Sequence, residues 1–71
     1  MSFTIRTRRV DGHEDSERYD TETAGRAALQ RGLDAHRRLG HTVTPNGSRT
    51  LFTVKDKNGV FLLESEIVRS A

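Results

Sequence analysis

The residues through which this chain could do chemistry are three histidines and a few close carboxylates. His13-Glu14-Asp15 sets an imidazole beside two carboxylates, side-chain types able to hold a divalent ion on a loop. Adjacent residues rarely all converge on one ion, and no second ligand cluster accompanies them. A solvated acidic loop is therefore the expectation, and no metal site is assigned. His36 and His41 lie outside the i, i+4 spacing of helical metal motifs. His36 is expected to pack one side of its ring at an apolar boundary. His41 follows a helix-ending glycine, where a cation suits the helix dipole. Glu64 and Glu66 share one face of a strand and could act as a carboxylate pair. A solvent-facing acidic edge that discourages strand-to-strand aggregation is the simpler account, because so short a chain offers little concavity for a sequestered site. There is no cysteine, no serine in a G-x-S-x-G context and no glycine loop of phosphate-binding form. No catalytic residue and no cofactor is assigned, and the expectation is that the chain is not an enzyme.

Arginine placement is the other chemical signal. The 12 cations and 10 carboxylates leave a formal charge of +2, too balanced to demand a nucleic-acid partner. Arg6 and Arg8 project from one side of a first strand, and Arg26 and Arg37 from one side of a helix. Joined, the two sets make a basic surface able to track phosphates. Acidic residues 14, 15, 17, 20 and 22 lie between them, and of Phe3, Tyr19, Phe52 and Phe61 three read as core, leaving little for base stacking.

The helix that must position these residues is Thr21–Leu39. At 100° per residue, Ala24, Gly25, Ala28, Leu29, Gly32, Ala35, His36 and Leu39 fall on one arc, with Leu33 at its border. The arc is a glycine-alanine seam. Two helical glycines cost about 0.8–1 kcal/mol each relative to alanine, which close approach to a sheet would explain. Asp20 or Thr21 caps the start and Gly40 terminates it. Phe3 to Val10 alternates as a first strand, Asp11-Gly12 signals a turn, and the polar stretch His13–Glu17 reads as a loop, with a short ladder or hairpin arm as the alternative. After the helix come short strands at residues 41–44, 50–55 and 60–64, joined by Pro45-Asn46-Gly47-Ser48 and Asp56-Lys57-Asn58-Gly59. A bulge or bend near Ser65 would return Ile67 or Val68 to the core. The order is β-α-β-β-β, a two-layer α+β fold with one amphipathic helix on a three- to four-stranded, mostly antiparallel sheet. The expected core is Phe3, Ile5, Ala24, Ala28, Leu29, Ala35, Leu39, Val43, Phe52, Val54, Phe61 and Leu63. Leu51, Val60 and Leu62 fall on the opposite, open face as a candidate partner-binding strip.

With 71 residues there is room for a single domain, residues 1–71. No stretch approaches the ~20 apolar residues of a membrane span, and the start lacks a secretory signal pattern. A soluble, cytoplasmic protein is the expectation. The segment Tyr19-Asp20-Thr21…Ala24…Leu39-Gly40-His41…Val43, followed by Phe52-Thr53-Val54…Asp56…Gly59, resembles small single-domain α+β proteins of bacteria or phage whose function is uncharacterised. The resemblance spans about residues 19–63 and rests on capping and turn residues. It implies a fold and an origin but no activity. The leading expectation is a small non-enzymatic module that binds an unidentified protein partner, or itself as a homodimer, through Leu51, Val60 and Leu62. The alternative is nucleic-acid binding through Arg6, Arg8, Arg26 and Arg37.

Overall fold

The computed structural model describes residues 2–70. It is a small α+β domain in the order β1 (Ser2–Arg9), β2 (Glu14–Tyr19), α1 (Glu22–Arg38), β3 (Thr42–Pro45), β4 (Leu51–Lys55) and β5 (Phe61–Ser70). The strands form one antiparallel sheet in the order β2-β1-β5-β4-β3. The expectation of three or four strands in β-α-β-β-β order is thereby corrected. Residues 14–19 form a strand, not a loop. This strand buries almost nothing, so it carries no apolar alternation. It is held by its backbone ladder to β1 and by the tight turn at Gly12, whose φ of +89° favours glycine. Opposite charges then face each other across the pair, Arg8 against Glu14.

β5 is the spine of the sheet. It pairs with β1 from Ser70 to Leu63 along one edge and with β4 from Glu66 to Phe61 along the other. No bend interrupts it at Ser65, which pairs with both Thr7 and Phe52. The irregularity falls instead between Val54 and Lys55. Unbroken alternation therefore carries Ile67 into the core without a bulge. In the β3–β4 turn the positive φ lies at Arg49 (57°), not at Asn46-Gly47. Asn46 Oδ1 accepts from the Thr50 and Leu51 amides at 2.9 and 3.2 Å and so organises this loop.

The helix starts as its sequence requires. Thr21 has extended backbone, and its Oγ1 accepts from the Ala24 amide at 3.1 Å. It ends in a Schellman motif: Gly40 N–H donates to Arg37 O at 3.0 Å, His41 N–H to His36 O at 3.1 Å, and Gly40 has φ +83°. Its buried positions are Gly25, Leu29 and Leu33. The inward direction is thus rotated by roughly 60° from the glycine-alanine arc, toward the two leucines. Leu33 is 2% exposed, whereas Leu39 is 71% exposed and Ala24 and Ala35 face solvent. The core is Leu29, Leu33, Phe52, Val54, Leu63 and Ile67, with Phe3, Ile5, Val43 and Leu62 packed against it; Phe61 is only half-buried. No helix of the described residues is long and apolar enough to cross a membrane.

The two helical glycines differ. A Cβ at Gly25 would lie 3.2 Å from Ile67 Cδ1 and 3.7 Å from Tyr19 Cβ, so this position does permit close approach. A Cβ at Gly32 would meet nothing within 4 Å. Gly32→Ala is therefore expected to stabilise the fold by about 0.8–1 kcal/mol, and Gly25→Ala to gain less or to destabilise. Leu33→Ala should cost about 2–5 kcal/mol. Urea unfolding of the three variants beside the wild type measures the ranking.

Candidate functional site

Gly25 places the first turns of α1 over Phe3, Tyr19 and Ile67, and Leu39-Gly40-His41 ties its far end to β3 at the opposite edge. Its 17 residues, about 25 Å long, thus cross the sheet obliquely. The crossing leaves the Arg9 end of the β1–β2 hairpin uncovered on the helix side. A groove of about 420 Å³ lies there. Its floor is Ile5, Thr7, Leu63 and Ser65, one wall is Ala28, Gly32 and His36, and the other is Asp15, Glu17 and Tyr19. The part of the small-residue seam expected to grip the sheet forms this wall. The little concavity expected of so short a chain takes the form of this groove, which follows from the tilt of the helix.

The polar groups of the groove are spoken for locally. Thr7 Oγ1 and Ser65 Oγ share a hydrogen bond of 3.0 Å, so a hydroxyl pair sits among the apolar floor residues. Arg9 Nε lies 3.6 Å from Asp15 Oδ2, and His13 Nε2 lies 3.2 Å from Asp15 Oδ1. Glu14 projects to the other side of the sheet, so His13, Glu14 and Asp15 do not converge. Tyr19 donates to Glu17 Oε2 at 2.5 Å. That bond, then burial and the Glu17 charge, raises the phenol pKa against an opposing contribution from Arg31.

At one end of the groove stands a histidine pair. His36 Nδ1 and His41 Nδ1 are 3.1 Å apart, one donating to the other. The ring centroids are separated by 5.3 Å with 30° between planes. Spacing alone concealed this pair. The signal was Gly40: a Schellman cap brings the residue one beyond its glycine against the residue four before it, which here are His41 and His36. Burial, then His41, then Arg9 lower the pKa of His36. Among the described residues no group of three or more His, Cys, Asp or Glu side chains gathers as a metal cluster would.

The residues singled out from sequence fall elsewhere. Arg6 and Arg8 lie on the open face of the sheet with Glu14, Ser16, Arg18, Glu64 and Glu66. Arg8 Nε is 2.9 Å from Glu64 Oε1, and Arg8 also approaches Glu66 at 3.9 Å, so these two carboxylates form an ion-pair row with arginine. Arg26 and Arg37 are on the helix, across the sheet from Arg6 and Arg8. Arg26 donates to Glu22 at 2.8 Å and to the Arg49 carbonyl at 3.1 Å; Arg37 donates to Asp34 at 2.8 Å. The four arginines thus share no surface. Leu51 lies on the open face, half-buried, opposite Glu66, whereas Leu62, at the irregularity between Val54 and Lys55, packs against the buried core and does not join it. Val60, 56% exposed, sits beyond the end of β5 in the Asp56–Val60 turn. No family model, curated protein sequence or solved structure matches the chain.

The lowered pKa of His36 has a defined consequence for stability. The unfolded chain binds a proton near the ordinary value of about 6.5, which the folded chain resists. Stability is therefore full above that pH and is lost as pH falls from about 6.5 through the lower folded value. Denaturant unfolding between neutral and mildly acidic pH is expected to show this loss, and His36→Gln should flatten that part of the profile.

Proposed function

We propose that the chain is a small non-enzymatic module that binds another protein, or a second copy of itself, through the open face of its sheet. The supporting observation is that α1 covers one face only, which leaves the other uncovered across all five strands. On that face Arg6, Arg8 and Arg18 are interleaved with Glu14, Glu64 and Glu66. Half-buried Leu51 and Val68 flank them. Charges so compensated suit a mixed protein surface better than a phosphate backbone, whose affinity comes from uncompensated cations. The apolar contribution is assigned to Leu51 and Val68; Leu62, packed against the core, and Val60 stand apart from them.

The nucleic-acid alternative, through Arg6, Arg8, Arg26 and Arg37, draws no support from the placement of those residues on opposite sides of the sheet. It predicts a salt-sensitive band shift that Arg26→Glu with Arg37→Glu abolishes.

Light scattering and NMR linewidths over a wide concentration range test self-association, and a pull-down from the native cell with nuclease control tests a protein partner. Leu51→Lys is expected to abolish the association seen by either method, while Gly32→Ala, on the groove side, leaves it intact. A strictly monomeric wild type that captures no partner sensitive to Leu51→Lys sinks the proposal.

A further inference from the structure

The His36–His41 pair is built by the backbone. His41 N–H donates to His36 O, and Gly40 supplies the left-handed corner that turns the chain back. The two ring attachments are therefore held on one side of the helix end before either side chain makes a contact. The centroid separation of 5.3 Å exceeds the nitrogen separation of 3.1 Å by nearly the full radii of both rings. The two Nδ1 atoms thus meet head to head, with their in-plane lone-pair directions nearly on one line. In the neutral pair a single proton lies between them.

Two imidazole nitrogens facing along one line are the donor set of a linear, two-coordinate ion. Tetrahedral zinc is a poorer fit, because it wants four converging ligands and no cluster of three forms among the described residues. Two metal–nitrogen bonds of about 2 Å end to end span about 4 Å, so the rings need part by only about 1 Å. Both rings are half-buried, and their terminal torsions are broad, so this motion is available. Charge points the same way. The groups acting on His36 are the other imidazole and the Arg9 guanidinium, and a single positive charge is repelled by that cation half as strongly as a double one. Arg37, in the same last turn, is turned to Asp34. The chain has no cysteine and one methionine, Met1, so little soft sulfur competes.

We propose that His36 and His41 form a linear site for a soft monovalent d10 cation, Cu(I) or Ag(I), with Nδ1 of each ring as ligand. On binding, the ring that carried its proton on Nδ1 moves it to Nε2 by exchange with water. Both rings stay neutral, no electron is transferred and no net proton is lost.

The experiment titrates silver nitrate, in chloride-free buffer, into the full chain. It follows imidazole nitrogens by long-range proton–nitrogen correlation and stability by thermal unfolding. The expected result is one Ag(I) per chain, with shifts at Nδ1 of His36 and His41 before any at His13, and a raised Tm. His41→Gln and His36→Gln should each remove the saturable shift, while His13→Gln and Met1→Leu retain it. Zinc chloride, tested separately, should produce a weaker change. Undiminished silver binding in His41→Gln, first shifts at His13, or zinc binding as tight as silver overturns the proposal. If a histidine variant fails to fold, the wild-type nitrogen shifts and the Met1→Leu control decide it.

Discussion

The structure depends on the contact of Leu29 and Leu33 with Phe52, Val54, Leu63 and Ile67. These six side chains are the whole of the fully buried apolar cluster among the described residues. Burying each contributes about 1.5–3 kcal/mol, most of which the ordering of the chain consumes. So small a core leaves little margin, and the sheet ladder must share the work. β5 does so by pairing along both edges, so that the residues under the helix are fixed from either side. The helix has only Gly25, Leu29 and Leu33 to bury fully, and they lie along one oblique line. That line sets the crossing, and the crossing leaves a groove on one side of α1 and a bare sheet face beneath.

The helix ends were legible in the sequence because they rest on local chemistry. Thr21 has an oxygen within reach of a free amide, and Gly40 can adopt positive φ at no steric cost. The inward face was less legible, because the arc weighted small and large residues alike. Ala24, Ala35 and Leu39 drew it one way, but buried area decides, and Leu33 alone outweighs two alanines. β2 was hidden for a different reason. An edge strand wet on both faces has no alternation to show, and its stability lies in backbone pairing that residue types do not reveal. In the turn before β4 a side chain does the backbone's work: Asn46 Oδ1 accepts from the amides of Thr50 and Leu51, and Arg49 takes the left-handed conformation.

Of the candidate site residues, strand parity grouped Arg6 with Arg8 and Glu64 with Glu66 and set Leu51 on the open face, in sequence and in structure alike; at Leu62 the irregularity between Val54 and Lys55 breaks that parity. What parity could not supply was strand order. β1 lies beside β5, not at a distance from it, so Arg8 meets Glu64 and the separate basic and acidic features become one compensated row. The His36–His41 contact was hidden behind the choice of template. The helical spacing rule fails at a helix end, where the geometry belongs to the cap and not to the repeat.

The compensated row also constrains how the proposed recognition can work. Arg8 is 45% exposed at its side chain and Glu64 29%, so their pairing in the free protein is partly screened. A partner that covered the row would strip water from both charges and regain it only by keeping them paired with good geometry. Separating them would strand one charge in a dry interface. The economical complex therefore leaves Arg8 with Glu64 and docks around the row, taking its apolar contact from Leu51 and Val68 beside Glu66. In that arrangement the arginines and glutamates fix the register and exclude mismatched partners, and Leu51 and Val68 contribute the affinity.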